Sequence, residues 1–120
     1  MMTLTPPSEA RGSRSARGAV EEYFRAWNTG HYDNLDEVLA PEWADHAHPD
    51  RLSPADVRNA FEVAREARPD TQVLVDAVLG DGDLITVNGR IVTGDRVEGR
   101  VWIVKVESGR LREMWTHCVD

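Results

Sequence analysis

The stretch Gln72-Val73-Leu74-Val75-Asp76-Ala77-Val78, closed by Gly80-Asp81-Gly82-Asp83, marks where helical spacing of apolar residues gives way to strand alternation. Successive residues of a strand point to opposite faces, so the run predicts a β-strand and the glycine-rich tetrapeptide predicts a tight turn. Alternating runs over 84–93, 97–106 and 111–119 predict three more strands. Together these segments are expected to form an antiparallel meander.

Upstream of this point the pattern predicts three helices. The first carries apolar residues at helical spacing and stops at Gly30, the second follows Asp33 and ends at Pro41, and the third begins at the Ser53 cap and ends before Pro69. The stripe of the first helix comprises Ala19, Val20, Tyr23, Phe24 and Trp27. Helices first and a meander second predict an α+β fold in which a curved antiparallel sheet wraps around three helices.

Length and composition indicate one acidic globular domain. The 120 residues carry a net charge of −7, which argues against nucleic acid or an anionic membrane as a partner. The single cysteine, Cys118, and the absence of a long apolar run favour a cytoplasmic location. Residues 1–18, rich in Pro, Ser and Gly, are predicted to be a disordered tail, so the domain spans 19–120.

The segment Trp43-Ala44-Asp45-His46-Ala47-His48-Pro49-Asp50 holds the candidate chemistry. If it is a strand, His46 and His48 share one face, and a pair of imidazoles facing an enclosed space indicates proton transfer or metal binding. The alternative is a pair of surface histidines capped by nearby carboxylates. A metal site built from these histidines with Asp45 and His117 is the lesser alternative.

Five loose motifs follow one another in a fixed order along residues 19–120. They are Tyr23-Phe24-Arg25-Ala26-Trp27-Asn28-Thr29-Gly30, the Pro41 to Pro49 strand, Arg68-Pro69-Asp70, Gly80-Asp81-Gly82-Asp83, and the closing Ser108-Gly109-Arg110-Leu111-Arg112-Glu113-Met114-Trp115. Together they resemble the SnoaL-like polyketide cyclases and ketosteroid isomerases of the nuclear transport factor 2-like superfamily. The resemblance implies a cone-shaped α+β barrel with an apolar pocket, no cofactor, and a homodimer formed through the sheet.

The resemblance also implies roles for individual residues. His48 precedes a proline where ketosteroid isomerases place their proton-transferring aspartate, and Tyr23 has the spacing from Gly30 of their oxyanion donor. Tyr23 could equally be an ordinary core residue. Trp102 falls near the position of the second, acidic donor, so a two-donor oxyanion hole is not expected.

The remaining candidates are assigned by strand phase. Glu113, Trp115 and His117 alternate together on the last strand and are expected to face the pocket. The other predicted lining residues are Trp27, Trp43, Phe61 and Trp102. Asn88 and Arg90 would bind a carbonyl or carboxylate, unless Arg90 lies on the exposed sheet face.

These residues predict a cofactor-independent cyclase or isomerase acting by general acid/base chemistry on an apolar, polyketide-like molecule of secondary metabolism, such as antibiotic biosynthesis. The predicted catalytic residues are His48, His117, Tyr23, His46 and Asp45. One alternative is a non-catalytic module of the same fold that binds a small ligand or mediates association. A further alternative is epoxide opening by water activated by Asp45 and Glu113.

Overall fold

The computed structural model describes residues 15–80 and 82–119, which form three helices and five strands. Their order is α1 (Ala16–Thr29), α2 (Leu35–Val38), β1 (Leu39–Asp45), α3 (Pro54–Ala67), β2 (Thr71–Leu79), β3 (Leu84–Thr93), β4 (Arg96–Glu107) and β5 (Arg110–Val119). The strands form one sheet in the order β1-β5-β4-β3-β2. The predicted α+β class is confirmed, and the sheet is antiparallel except for β1, which pairs with β5 in parallel.

Local sequence signals fix the ends of the two long helices. Ser53 caps α3 by accepting a hydrogen bond from the Asp56 N–H at 3.2 Å, and Gly30 ends α1 in the left-handed conformation with φ of 76°. Helix α1 begins at Ala16, so residues 16–18, which we assigned to the tail, are helical. The remainder of the predicted tail, residues 1–14, lies outside the described residues.

Strand β1 differs from the prediction at both ends. It begins at Leu39 and includes Pro41, and it ends at Asp45 rather than continuing through the histidines. Proline is tolerated because β1 is an edge strand whose register shifts between Leu39 and Ala44. After Asp45 the chain turns, with the His48 N–H donating to the Asp45 carbonyl at 3.0 Å.

Two polar side chains fix the helices relative to the sheet. The Asn28 amide donates to the carbonyl of Val73 at 2.7 Å and accepts from its N–H at 2.8 Å, which joins the end of α1 to β2. The Arg65 guanidinium donates to the carbonyl of Trp27 at 2.9 Å and so joins α3 to α1. These bonds hold the helices over one face of the sheet, here called the inner face, and the hydrophobic core lies between them.

Candidate active site

A cavity of about 360 Å³ opens between the helices and the inner face of the sheet. Its apolar wall contains five aromatic side chains, Tyr23, Phe24, Trp27, Phe61 and Trp102. Phe61 contacts Tyr23 and Trp27 edge to face, with ring centroids 5.5 and 4.8 Å apart. Such walls suit flat or conjugated molecules.

Gly89 explains how Trp102 fits on the inner face. A Cβ at Gly89 would lie 2.4 Å from the Leu74 carbonyl oxygen and 3.0 Å from the Trp102 ring. The missing side chain therefore leaves room for the indole, which also packs on Phe24 with centroids 4.8 Å apart. The prediction that Trp27, Phe61 and Trp102 line the pocket agrees with this geometry, whereas Trp43 is buried behind Tyr23 with centroids 5.9 Å apart.

The polar corner of the cavity is built by the turn after β1. The side chain of Asp45 is only 1% exposed, and its Oδ2 lies 3.2 Å from His48 Nδ1 and 3.9 Å from an Arg51 guanidinium nitrogen. Its Oδ1 accepts the Ala47 N–H at 3.1 Å. The turn thus brings a half-exposed imidazole, a buried carboxylate and a guanidinium together at the cavity.

The contact with Asp45 determines which nitrogen of His48 is available. In the neutral imidazole, a proton on Nδ1 is donated to the carboxylate, and Nε2 is then left with its lone pair. The Ala47 N–H fixes the other carboxylate oxygen, Oδ1, and the Arg51 guanidinium adds a positive charge 3.9 Å from Oδ2. The arrangement can therefore present Nε2 as a proton acceptor, with the carboxylate stabilising the imidazolium that forms.

Tyr23 lines the same cavity with its ring buried. Burial, reinforced by the negative charge of Asp45 and opposed by Arg51, raises the pKa of the Tyr23 phenol above its ordinary value. A phenol is protonated at neutral pH even at its ordinary pKa, and Tyr23 can therefore act as a hydrogen-bond donor. Trp27 also lines the cavity, and its buried indole N–H has no acceptor among the described residues.

Strand β5 presents the opposite face from the one predicted. Met114, Thr116 and Cys118 line the cavity, so Glu113, Trp115 and His117 lie on the other side of the sheet, here called the outer face. The cause is a β-bulge at Arg112, because Lys105 pairs with Glu113 while its neighbour Val106 pairs with Leu111. Leu111 still points into the core, but each later residue of β5 lies on the face opposite to the one that unbroken alternation from Leu111 predicts.

His46 also lies on the outer face, and the expectation that it shares a wall with His48 is wrong. Its ring stacks on Trp115 at a centroid distance of 4.8 Å and an interplanar angle of 5°, and its Nε2 is 3.0 Å from Glu113 Oε1. The physical reason is that β1 ends at Asp45, so strand alternation no longer relates the two histidines. His46, Glu113 and Trp115 form a surface cluster away from the cavity.

Asn88 and Arg90 are likewise on the outer face, since Ile85, Val87 and Gly89 point inward on β3. Arg90 makes a two-pronged contact with Asp76, with distances of 3.0 and 2.7 Å. The hydrogen bonds from Arg90 lower the pKa of the Asp76 carboxyl below its ordinary value. The alternative in which Arg90 lies on the exposed sheet face is therefore correct, and neither residue lines the cavity.

Sequence reasoning missed two arginines of the cavity, Arg51 and Arg100. Arg51 follows the turn and carries no periodic signal. Arg100, however, alternates in phase with Trp102 on β4, and that phase could have placed it on the same wall. Met114, Thr116 and Cys118 could be found only by anticipating the bulge.

Neither a metal cluster nor a membrane span is present in the described part of the chain. Among residues 15–80 and 82–119, no three His, Cys, Asp or Glu side chains are grouped so as to hold one metal ion. The separation of His46 and His117 from His48 accounts for this. Within the same ranges, no helix has the length and apolar character needed to cross a bilayer.

Comparison with known protein families assigns the chain to one of them. The family model of the SnoaL-like domain matches residues 20–114, and the chain belongs to that family. No curated protein matches the sequence. The recognised resemblance to SnoaL-like proteins is confirmed.

Solved structures share the fold at low sequence identity. IdmH from Streptomyces antibioticus, for which polyketide cyclase activity has been suggested, is 18% identical, with 86% of this chain and 91% of that chain covered and a TM-score of 0.71. A SnoaL-like polyketide cyclase from Agrobacterium tumefaciens is 11% identical, with coverages of 89% and 93% and a TM-score of 0.73. A suggested SnoaL-like isomerase from the same organism is 18% identical, with coverages of 85% and 95% and a TM-score of 0.71.

Proposed function

We propose that this protein is a cofactor-independent cyclase or isomerase that moves protons on an apolar, polyketide-like molecule in cytoplasmic secondary metabolism. The observation that carries the proposal is the His48–Asp45 pair, with Nδ1 and Oδ2 3.2 Å apart, at the edge of an aromatic cavity. Membership of the SnoaL-like family supports it.

In the proposed reaction, His48 Nε2 removes a proton from a carbon next to a carbonyl group. The electron pair of the C–H bond moves to the carbonyl oxygen, and the Tyr23 phenol donates a hydrogen bond to the resulting enolate. The enolate carbon then attacks a second carbonyl of the same molecule, which closes a ring. Where the enolate is conjugated to a C=C bond, the far carbon of this dienolate is reprotonated instead, which shifts the double bond. The imidazolium returns the proton in both cases.

The carboxylates do not favour the epoxide-opening alternative. Glu113 is on the outer face, and Asp45 already accepts from Ala47 and contacts His48 and Arg51. A carboxylate held in this way orients the imidazole better than it would activate water.

Hydrogen exchange on a model ketone tests the proposed function without knowledge of the natural substrate. 2-Tetralone has a flat aromatic ring and acidic hydrogens beside its carbonyl. NMR can follow the replacement of these hydrogens by deuterium in D₂O. We expect the protein to accelerate exchange above the rate given by buffer with an equal concentration of free imidazole. Exchange at the buffer rate despite measurable ketone binding would favour the non-catalytic binding module.

Replacing Tyr23 by Phe should slow this exchange about tenfold, because the loss of one hydrogen bond to a developing charge costs about 1.5 kcal/mol. The ring contacts with Phe61 and Trp43 are retained, so the free energy of unfolding should change little. Denaturant unfolding provides the control. An unchanged exchange rate in a folded variant would remove Tyr23 from the reaction.

We further propose that two copies associate through the outer face of the sheet. This face carries exposed or half-exposed apolar side chains on neighbouring strands, namely Leu79, Leu84, Val101, Ile103, Trp115 and Val119. Apolar side chains on a sheet face that no helix covers are typical of an interface.

Ile103→Glu should convert the dimer into a monomer, because Ile103 lies on β4 between the outer-face residues of β3 and β5. Light scattering during size-exclusion chromatography measures the mass of each species. Val63→Glu is the matched control, since Val63 is 59% exposed on α3, away from the sheet. A monomeric wild-type protein, or a dimeric Ile103→Glu variant, would contradict this assembly.

A further inference from the structure

The cavity has a second polar end, formed by Arg100. The Arg100 side chain is 18% exposed and lies on the cavity wall contributed by β4. Its guanidinium donates to the Gly99 carbonyl at 2.9 Å and to Glu98 Oε1 at 3.0 Å. A guanidinium has five N–H donors, so these two bonds fix its position and leave others for a ligand.

The charged side chains around Arg100 carry a net positive charge even though Glu98 is among them. Glu98 also pairs with Arg96 at 3.0 Å, so one carboxylate is shared between two guanidinium groups. A polar cleft of about 250 Å³ is lined by Glu98, Arg96 and Arg68, and it adjoins the cavity at Ile91, which lines both. This end of the cavity therefore suits a ligand group with one negative charge.

Strand register separates Arg100 from the His48–Asp45 pair. Asp45 pairs with Met114 at one level of β5, and Arg100 pairs with Cys118 four residues further along. At the usual rise per residue of a strand, the two levels are about 13 Å apart. Trp102 pairs with Thr116, midway between them, so the aromatic wall separates the two polar ends.

We propose that Arg100 binds a carboxylate at the end of the substrate remote from the reacting carbon. The inference rests on the proposed function and narrows its substrate to an elongated molecule with an acidic terminus, a flat apolar middle and an enolisable carbonyl near His48. A planar carboxylate matches the fork of a guanidinium. Glu98 positions Arg100 from the side opposite the ligand, and Glu98 has Arg96 as its second partner.

The test is equilibrium binding of a matched pair of probes, 3-(biphenyl-4-yl)propanoate and its primary amide, to the full chain. The two probes share shape and differ in charge. We expect the acid to bind the wild-type protein at least tenfold more tightly than the amide, and Arg100→Gln to abolish this preference while binding the amide as before. Arg58→Gln, which removes the same charge from the exposed side of α3, should keep the preference.

Cys118 offers a second readout, because it is the single cysteine of the chain and lines the cavity beside Arg100. The acid should protect Cys118 from alkylation in wild-type protein and in His48→Ala, and fail to do so at the same concentration in Arg100→Gln. Equal binding of acid and amide, binding of neither, or a preference that survives Arg100→Gln would overturn the proposal. Because no step depends on turnover, an acid preference in a protein that fails to exchange 2-tetralone hydrogens would support the subsite and reject only the catalytic function.

Discussion

Replacement of His48 by Ala is expected to lower protein-catalysed exchange of 2-tetralone hydrogens about 1000-fold, within the range that a general base contributes. The reason is that His48 is the one histidine among residues 15–80 and 82–119 that lines the aromatic cavity. Its side chain is 46% exposed, so its removal should lower the free energy of unfolding by only about 1 kcal/mol, the cost of one hydrogen bond lost by the buried Asp45 carboxylate. NMR exchange rates and denaturant unfolding measure the two quantities separately.

His46→Ala and His117→Ala are matched controls for this variant. Both remove an imidazole from the outer face, and both should retain nearly the full exchange rate. A wild-type rate for His48→Ala would defeat the base assignment. A large loss in either control would instead show that the outer face takes part in the reaction.

Asp45→Asn should reduce exchange by about 100-fold or more, although it changes one oxygen to an NH₂ group. The Ala47 N–H needs an acceptor, so the remaining oxygen should stay on it and turn the new NH₂ toward His48 Nδ1. Nδ1 must then accept a hydrogen bond, which places the imidazole proton on Nε2 and removes the basic lone pair from the cavity.

The same substitution places an NH₂ group near Arg51 and removes its carboxylate partner, so the variant should also unfold at a somewhat lower denaturant concentration. The nitrogen chemical shifts of the His48 ring report the tautomer directly. A variant that keeps Nδ1 protonated and retains full exchange would show that Asp45 does not position the base. Asp50→Asn is a control in the same loop, because Asp50 is exposed and is not part of the cavity wall.

The fold could be predicted from sequence because its signals are local. Helix α1 ends at a glycine, α3 begins with a serine followed by a proline, and the meander turns at glycines, so each boundary depends on a few neighbouring residues. The strand boundaries of β3 agree with the prediction at both ends. Periodicity and caps indicate such elements from short-range sequence alone.

The candidate site could be predicted only in part, because side-chain direction depends on non-local pairing. Asp45, His48 and Tyr23, three of the predicted catalytic residues, line the same cavity, although strand alternation through the segment would place Asp45 on the face opposite His48. The error in placing His46 comes from extending β1 past Asp45, where the parallel partner strand no longer imposes alternation. The error for Glu113, Trp115 and His117 comes from the bulge at Arg112, which only the pairing of β5 with β4 reveals.

That extra residue has a genetic consequence. Deletion of the codon for Arg112 would leave Val106 paired with Leu111 and Lys105 with Glu113 in an unbroken ladder, so Met114, Thr116 and Cys118 would still face inward. A single in-frame deletion at this position would therefore straighten the strand and leave the chemistry of the interior and of the exterior as they are.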